Sequence, residues 1–470
     1  MVKNQSMYKR LGIKTKSGSF KKWYGAGLLN EVDEKFVAEV KEYWNDKTDR
    51  TLDPALHLAF MNLNGKKEPK LLSYGVMNYE VYPVFNDYSV TNFYGDKNIY
   101  DRVIQPSNTV VTVLRGIRGK YFDASYNYID SSEALEILNK TDKDMIIKPS
   151  RSNNGSGISK FKIDNNRAYF SDETVSIDDL LNEFGGNFII QEMLEQHPNM
   201  AEPHPDSVNS LRMVTFRWKG EIRYLLAYVR IGSNGDIRDN GDTDTDPRVG
   251  VKDNGEFFDF ALSHDGKKHF EHPTTGFKFS ELKPIPNYDE FIQYVKELHE
   301  NFLHLDIVSW DIAVGKEGQP VFIEANFAGP IPFYQLVSQK PMFGDLTEEV
   351  MEYVQKKRAQ RKFKLMSKHE KVQIKREKNR TRKELNDNRR LVAELKEEVN
   401  RLTNENLKNE EVNKKKNSKL KQEKQTLAKE NRELLKEKTG YEKEYKKMKQ
   451  SNSWRITAPV RFISSKFKKK

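Results

Sequence analysis

The chain has no cysteine among its 470 residues. That excludes a disulfide framework, a thiolate metal site and a cysteine nucleophile, and it is compatible with a reducing cytoplasm. Long apolar runs are also missing. No stretch approaches the roughly 20 residues of a membrane-spanning helix, and the basic start MVKNQSMYKRLGIKTKSGSFKKW lacks the apolar block of a signal peptide. Hydrophobic residues make up only 36% and charged residues 32%. That mix is too polar for one compact globule of this length, so part of the chain is expected to be elongated or disordered. Glycine and proline nearly vanish from residues 351–470, which hold one of each, Gly440 and Pro459. The same residues carry 39 Lys+Arg against 17 Asp+Glu, while residues 1–350 carry 41 against 52. The net charge of +11 therefore hides an acidic front and a basic tail with different partners. A boundary is expected near Val350–Gln360.

The front alternates helix and strand signals. Phe36, Val37, Val40 and Tyr43 predict a helix over Asp33–Asn45. Asn108–Leu114 is a β-branched run. Helices are expected at Ser131–Asn139, with Ser131 as N-cap, at Ile177–Phe184 and at Tyr288–Phe302. Strands are expected at Met145–Lys148, Gly157–Ile163 and Phe188–Gln191. Two hairpins follow, Ser210–Trp218 with Ile222–Ile231, and Ile307–Val314 with Pro320–Glu324. This is the order of an α+β enzyme, not of regular βαβ units.

Four elements carry chemistry. Asp311 lies in VSWDIAV, and Glu324 and Asn326 in VFIEANFAGP. Residues two apart on a strand share a face, so Glu324 and Asn326 point together and Asp311 on the neighbouring strand can meet them. Two carboxylates and an amide oxygen are hard ligands that suit Mg²⁺, although ordinary polar residues at a strand end would look the same. In IIKPSRSNNGSGISKF, Lys148 ends a strand before a glycine-rich return that can approach phosphates; a polar hairpin with a surface lysine is the alternative. FIIQEML can offer main-chain groups to a purine, or simply be core. In DSVNSLRMVTF, Asn209 and Arg212 enter a strand, where an arginine can take a phosphate in a bidentate grip or make a surface ion pair.

Together these elements resemble the ATP-grasp superfamily. The resemblance implies an ATP-grasp fold, two α+β subdomains clamping ATP, followed by a long C-terminal helix or coiled coil. It implies that Asp311, Glu324 and Asn326 hold Mg²⁺, two ions in all, and that Lys148 meets the α- and β-phosphates. Ser152, Gly155, Ser156 and Gly157 match the phosphate-covering loop. Gln191, Glu192 and Leu194 match the adenine hinge, and Glu195 is a candidate for the ribose. Arg212 matches a γ-phosphate arginine with Asn209 beside it, and Lys97 in YGDKNIYDRV matches the lysine before the central subdomain. Arg230 would anchor the acyl phosphate or the carboxylate, or else pair with the acidic 236–246 loop. Within the superfamily the chain is most similar to sugar-transfer-associated ATP-grasp proteins of surface-polysaccharide loci, over roughly residues 36–345. It departs from them in RDNGDTDTDPRVGV, which lacks a paired-glycine loop and bears on acceptor recognition.

The tail repeats apolar or aromatic residues every seven positions, at Leu385, Val392, Val399, Leu420, Leu427, Leu434, Tyr441 and Met448, with Asn406 and Asn413 interrupting. The second seam is poor, with Asn409, Lys416, Glu423 and Glu430. A marginal coiled coil over 385–448 making a homodimer is expected, with a single charged helix as the alternative. The end, SNSWRITAPVRFISSKFKKK, mixes Trp454, Phe462 and Phe467 with cations and reads as a contact to an anionic membrane surface. SWRITAPVR resembles a short motif of bacterial surface-polysaccharide glycosyltransferases, which makes such enzymes candidate partners. A nucleic-acid partner is disfavoured by the acidic front.

The expected organisation is thus 1–95 as a basic segment before the ATP-grasp domain, 96–350 as that domain, 351–450 as a basic helical coiled coil and 451–470 as an amphipathic basic tail. The resemblance implies an ATP- and Mg²⁺-dependent ligase working through an acyl phosphate. It would join a carboxylate- or amine-bearing sugar or amino acid in capsule or cell-surface glycan assembly, on the cytoplasmic face of the membrane. The alternatives are a non-catalytic scaffold for glycosyltransferases and a sugar kinase on the same fold.

Overall fold

The computed structural model describes residues 5–152, 157–170, 173–239, 246–365, 395–396 and 414–450. The chain divides into two compact units, one of residues 1–47 with 51–354, the other of 48–50 with 355–470.

The first unit is a mixed α/β fold built on two antiparallel sheets. One has eight strands: β1 (Thr112–Ile117), β2 (Lys120–Asp123), β3 (Tyr128–Ile129), β4 (Met145–Pro149), β5 (Ser159–Asp164), β6 (Arg167–Phe170), β7 (Glu173–Ser176) and β8 (Phe188–Glu192), in the order β3-β2-β1-β8-β4-β5-β6-β7. The other has seven: β9 (Ser210–Trp218), β10 (Glu221–Arg230), β11 (Arg248–Val251), β12 (Phe257–Leu262), β13 (Lys268–His269), β14 (Ile307–Val314) and β15 (Pro320–Asn326), in the order β13-β12-β11-β10-β9-β14-β15. The expected hairpins β4–β5, β9–β10 and β14–β15 all pair antiparallel.

The helices Ser131–Asn139 and Ile177–Glu183 cover the first sheet, and Leu138, Leu180, Ile147, Phe161 and Phe188 form its core. The cap of the first of these helices is Asp130, not Ser131. Asp130 accepts from Glu133 N–H while the Glu133 carboxylate accepts from Asp130 N–H, so the two residues satisfy two orphan donors reciprocally.

The second sheet is buried on both faces. On one, the helix Tyr288–Glu300 packs Phe291, Val295 and Leu298 against Met213, Trp310 and Phe322. On the other lie the expected Asp33–Asn45 helix, seen as Glu34–Trp44, and two helices that the sequence patterns left unread. Phe36, Trp44, Leu58 and Phe60 from Glu34–Trp44 and Ala55–Asn64, with Tyr334 and Leu336 from Ile331–Ser338, cover Val214, Phe216 and Tyr228. Burying roughly a dozen such side chains, each worth about 1.5–3 kcal/mol, binds the N-terminal helices to this sheet. Every residue of β14 is buried, which hides its strand alternation from any hydropathy pattern.

In the second unit Lys414–Gln450 form one helix, with Leu434, Leu435 and Tyr441 exposed. Most of the seam expected over 385–413, and the whole tail 451–470, lie outside the described residues. No described helix is long and apolar enough to cross a membrane.

Candidate nucleotide and metal site

One face of β9 changes character along its length. Phe216 and Val214 are core; two and four residues further back, Arg212 and Ser210 line a cavity of about 490 Å³. Cross-strand pairing brings Asp311 of β14 opposite Arg212, Glu324 of β15 opposite Asp311, Arg230 of β10 opposite Ser210, and Arg248 of β11 opposite Arg230. Paired residues share a face, so three arginines and two carboxylates stand together on one buried surface.

Asp311 is held by both arginines it faces. Arg212 Nε lies 2.7 Å from its Oδ1, and Arg230 Nη2 donates to its Oδ2 at 2.9 Å. Asn326 Nδ2 stands 3.3 Å from Asp311 Oδ2 and 3.3 Å from Glu324 Oε1. The three expected metal ligands therefore converge, and a half-turn of the amide presents Asn326 Oδ1 at the same point. Lys97 closes the set from a separate segment. Its Nζ lies 3.2 Å from Glu324 Oε2 and donates to Ser152 O at 3.4 Å, tying the second sheet to the end of β4. Asp96 positions that lysine: it caps Asn98 N–H at the start of the short Lys97–Ile99 turn and grips Arg151 at 2.9 Å.

Burial raises the Glu324 carboxyl, but Lys97, Lys148, Arg212 and Arg230 outweigh it and hold the group well below the usual carboxylate range. Burial pushes Asp311 up, with Glu324 and Asp239 adding to the push against its two arginines. Lys148 is buried, and burial together with the neighbouring Lys97 brings its ammonium down to about 8, partly countered by Glu324. Isolated buried charges of this kind are costly, and mutual pairing keeps them ionised.

The oxygen set fits Mg²⁺. It offers two carboxylates and an amide, with cations already gathered where anionic phosphates would enter. Among the described residues no group of three or more His, Asp or Glu could hold a metal, so an ion here would lean on Asn326 and on non-protein oxygens.

The other expected residues fall into three groups. Gln191, Glu192, Leu194 and Glu195 line the same cavity as Lys148, beside the apolar Val110, Ile146, Ile158 and Ile323 that would flank a flat ring. Glu192 pairs with Lys143 and Glu195 with Lys316, each at 2.7 Å. Gly157 has φ +79°, and a Cβ there would lie 2.8 Å from Pro149 Cγ; Gly155 and Ser156 lie outside the described residues. Asn209 does not face the cavity. Its Nδ2 donates to Met200 O at 2.6 Å and His204 O at 3.0 Å, and its Oδ1 accepts from Ser207 Oγ and Gly232 N, so it ties a buried loop together.

Sequence reasoning missed Ser210, and reached Asp239 only as part of the acidic 236–246 loop offered as a partner for Arg230, a pairing that the structure contains. Asp239 Oδ2 accepts from Ser210 N at 3.1 Å and from Ser210 Oγ, and stands 3.3 Å from Arg230 Nη2. The i, i+2 relation of Ser210 to Arg212 was the available signal for the serine. It also missed Tyr334, whose hydroxyl meets Arg212 Nη1 at 3.3 Å and leaves room at Gly329 for no Cβ, which would lie 2.4 Å from it.

A family model described as sugar-transfer associated ATP-grasp matches residues 76–350. No curated protein matches the chain. Solved structures that match include the D-Ala:D-Ser ligase VanG from Enterococcus faecalis, at 11% identity over 58% of this chain and 63% of that one, with a TM-score of 0.35. N5-carboxyaminoimidazole ribonucleotide synthetase from Thermotoga maritima matches at 9% over 55% and 53%, with a TM-score of 0.29. D-alanine–D-alanine ligase from Bacillus anthracis matches at 13% over 58% and 72%, with a TM-score of 0.31. The chain thus spans less than two thirds of the length of the first two of these structures.

Proposed function

Since this chain belongs to the sugar-transfer-associated ATP-grasp family, we propose that it is an ATP- and Mg²⁺-dependent ligase that activates a carboxylate as an acyl phosphate and passes it to an amine. Its setting is the assembly or modification of cell-surface or capsular polysaccharide. The observation that supports this reading is the gathering of Asp311, Glu324, Asn326, Lys148 and Arg212 around one cavity, with Lys97 paired to Glu324.

Asp311, Glu324 and Asn326 are the residues that would hold magnesium, which when bound offsets phosphate charge and orients the transferring group. Lys148 and Lys97 bring positive charge to the phosphates. Arg212, held in place by Asp311, would offset charge on the γ-phosphoryl with the part of its guanidinium that Asp311 leaves uncovered. The apolar walls at Ile146, Ile158 and Ile323 take the base, with main-chain groups at Glu192 and Leu194 reading its edge. No nucleophilic side chain is required, in keeping with a chain free of cysteine.

Product analysis tests the reading. ADP formed only when a carboxylate and an amine are both present supports the ligase. ADP with a phosphosugar would make the protein a kinase. Absence of turnover with bound Mg-ATP would make it a scaffold. The proposal extends to the tail: residues 451–470 contact an anionic membrane and 385–448 pair two copies. Deleting 451–470 should release the protein from anionic vesicles without changing Mg-ATP binding, and retention on the vesicles would remove the membrane contact.

A further inference from the structure

The first 30 residues hold seven Lys and Arg and no Asp or Glu, although residues 1–350 as a whole are acidic. In the structure these residues fold onto the body. Tyr8, Phe20 and Trp23, from the helices Gln5–Arg10 and Gly18–Gly25, are buried in the core that covers the second sheet. The cations between these anchors stay outside. Lys9, Lys16 and Lys21 are exposed and make no ion pair among the described residues, while Arg10 pairs with Glu34. Burial of the apolar side chains thus fixes the lysines on the surface. Like charges held there without carboxylates repel one another, so the fold gains nothing from gathering them.

A second segment joins them. The turn between β12 and β13 packs on the end of the Gly18–Gly25 helix. A Cβ at Gly266, where φ is +87°, would lie 3.5 Å from Trp23 Cδ1, 3.5 Å from Ala26 Cβ and 3.8 Å from Lys22 Cγ. β13 then carries Lys268 over two rings. Its Nζ lies 4.0 Å from the Phe260 centroid and 4.9 Å from that of Phe270. Phe260 is buried, but Phe270 is 57% exposed. Lys22 lies over Phe333 in the same manner, at 5.0 Å. The acid of the turn, Asp265, is taken by Lys267 at 2.6 Å.

We infer that the surface bearing Lys16, Lys21, Lys268 and Phe270 rests on an anionic bilayer, a contact made by the folded body and separate from the one proposed for residues 451–470. Charge complementarity calls for an anionic partner, and the rings decide which. Single-stranded nucleic acid stacks its bases on open aromatic faces. Here Lys268 already lies over the exposed ring. A bilayer interface suits the pair as it stands. The exposed part of Phe270 enters the boundary between headgroups and acyl chains, the lysine stem lies along it, and the ammonium meets a lipid anion. One such contact is weak, and stable residence takes two signals, so the body and the tail each supply a part. The inference does not depend on the ligase reading.

Co-sedimentation of the full chain with vesicles of phosphatidylcholine and phosphatidylglycerol is the test, with pure phosphatidylcholine as the neutral control. The triple variant Lys16→Gln, Lys21→Gln, Lys268→Gln should weaken partition to the anionic vesicles about 100-fold, at about fivefold for each lysine near the surface. Phe270→Ser should weaken it about tenfold by removing an inserted ring. All four positions are exposed, so the melting temperature should match the wild type. Wild-type partition in both variants overturns the inference, as does an equal loss by the triple variant on neutral vesicles. So does tighter binding to a single-stranded oligonucleotide than to vesicles, lost in the triple variant: the partner is then nucleic acid. Deleting 451–470 reads the tail separately. If that deletion spares partition while the triple variant loses it, the tail contact falls and the body contact stands.

Discussion

The two faces of strands β9 and β14 make the most instructive comparison in the molecule. Both are buried and both carry polar side chains, but they solve the problem of burial in opposite ways. On the face toward the Tyr288–Glu300 helix the groups are neutral and form a closed relay. Trp310 Nε1–H donates to Thr215 Oγ1 at 2.7 Å, the Thr215 hydroxyl donates to His299 Nδ1 at 2.7 Å, and His299 Nε2–H donates to Leu305 O at 2.8 Å. The Leu305 bond fixes the tautomer, and each donor in the chain has one acceptor. On the other face the groups are charged and the accounts stay open. Asp311 serves two arginines, Lys97 stands in for a cation on Glu324, and Arg230 keeps an N–H unused. A closed neutral network rigidifies a core, whereas an open charged one is poised for ligands. The first should govern stability and the second activity.

Glu324→Gln should break the charged face most severely. It removes a proposed metal carboxylate and the partner of Lys97, and ATP turnover should fall by about 100-fold or more, the scale of losing one preorganised charge-stabilising group. The circular dichroism spectrum should be unchanged, because the apolar packing of β15 is untouched. Unchanged turnover would remove Glu324 from the site. Thr215→Val is the matching blow to the neutral face. Valine fills the same space but strands Trp310 Nε1–H and His299 Nδ1, which should cost about 2–6 kcal/mol of unfolding free energy at about 1–3 kcal/mol for each orphaned group. Mg-ATP affinity should stay at the wild-type value. A denaturant titration and a binding isotherm separate the two effects, and a large change in affinity with little loss of stability would reverse the roles assigned to the faces.

The same contrast explains what the sequence could and could not reveal. Asp311, Glu324 and Asn326 were legible because strand geometry is local: spacing of two on one strand and a short hairpin between strands bring them together regardless of the rest. Lys148 was legible as a lysine ending a strand before glycines. The partnership of Lys97 with Glu324 was not, since it joins residues 227 apart through the packing of two sheets. Asn209 was misplaced because its neighbour Arg212 suggested a shared direction, whereas the chain there is turned by bonds to Met200 and His204 that no spacing rule contains. The helices before residue 95 were underread for another reason. Glu34–Trp44 carried a legible stripe, but Ala55–Asn64 is buried at nearly every position and so shows none, being stabilised by burial against Val214 and Phe216, far away in sequence. The Asp130 cap was available, since Glu133 three residues on completes the reciprocal pair.

A milder test of the neutral face uses pH. Burial, more than the opposing bond to Leu305 O, pushes His299 down to about 3, far below the ordinary histidine value of about 6.5. Below pH 6.5 the unfolded chain takes up a proton that the folded protein refuses, so stability should fall as pH falls from about 6.5 toward about 3, by up to about 1.4 kcal/mol per pH unit, and be fully present above that window. His57, buried and held at about 4, adds a slope of the same sign. Replacing His299 with Gln should flatten this limb when stability is measured by urea denaturation at pH 7 and pH 5. An unaltered slope would mean that the relay does not control the proton.

The smallest effect is expected where the charged face is redundant. Tyr334 is not irreplaceable to Arg212: its hydroxyl accepts from Nη1 at 3.3 Å, while Asp311 already pairs with Nε and Nη2. Tyr334→Phe should therefore leave the guanidinium in place, retain the ring contact with Tyr228 at 5.1 Å and weaken Mg-ATP binding only about fivefold, the equivalent of one ordinary hydrogen bond of about 1 kcal/mol. Asp311→Asn, which loosens both arginines at once, should weaken it far more. If the two substitutions proved equal in a binding titration, Arg212 would be positioned by the tyrosine rather than by the carboxylate, and the distinction drawn between an open charged face and a closed neutral one would have to be moved from Asp311 to the ring that covers it.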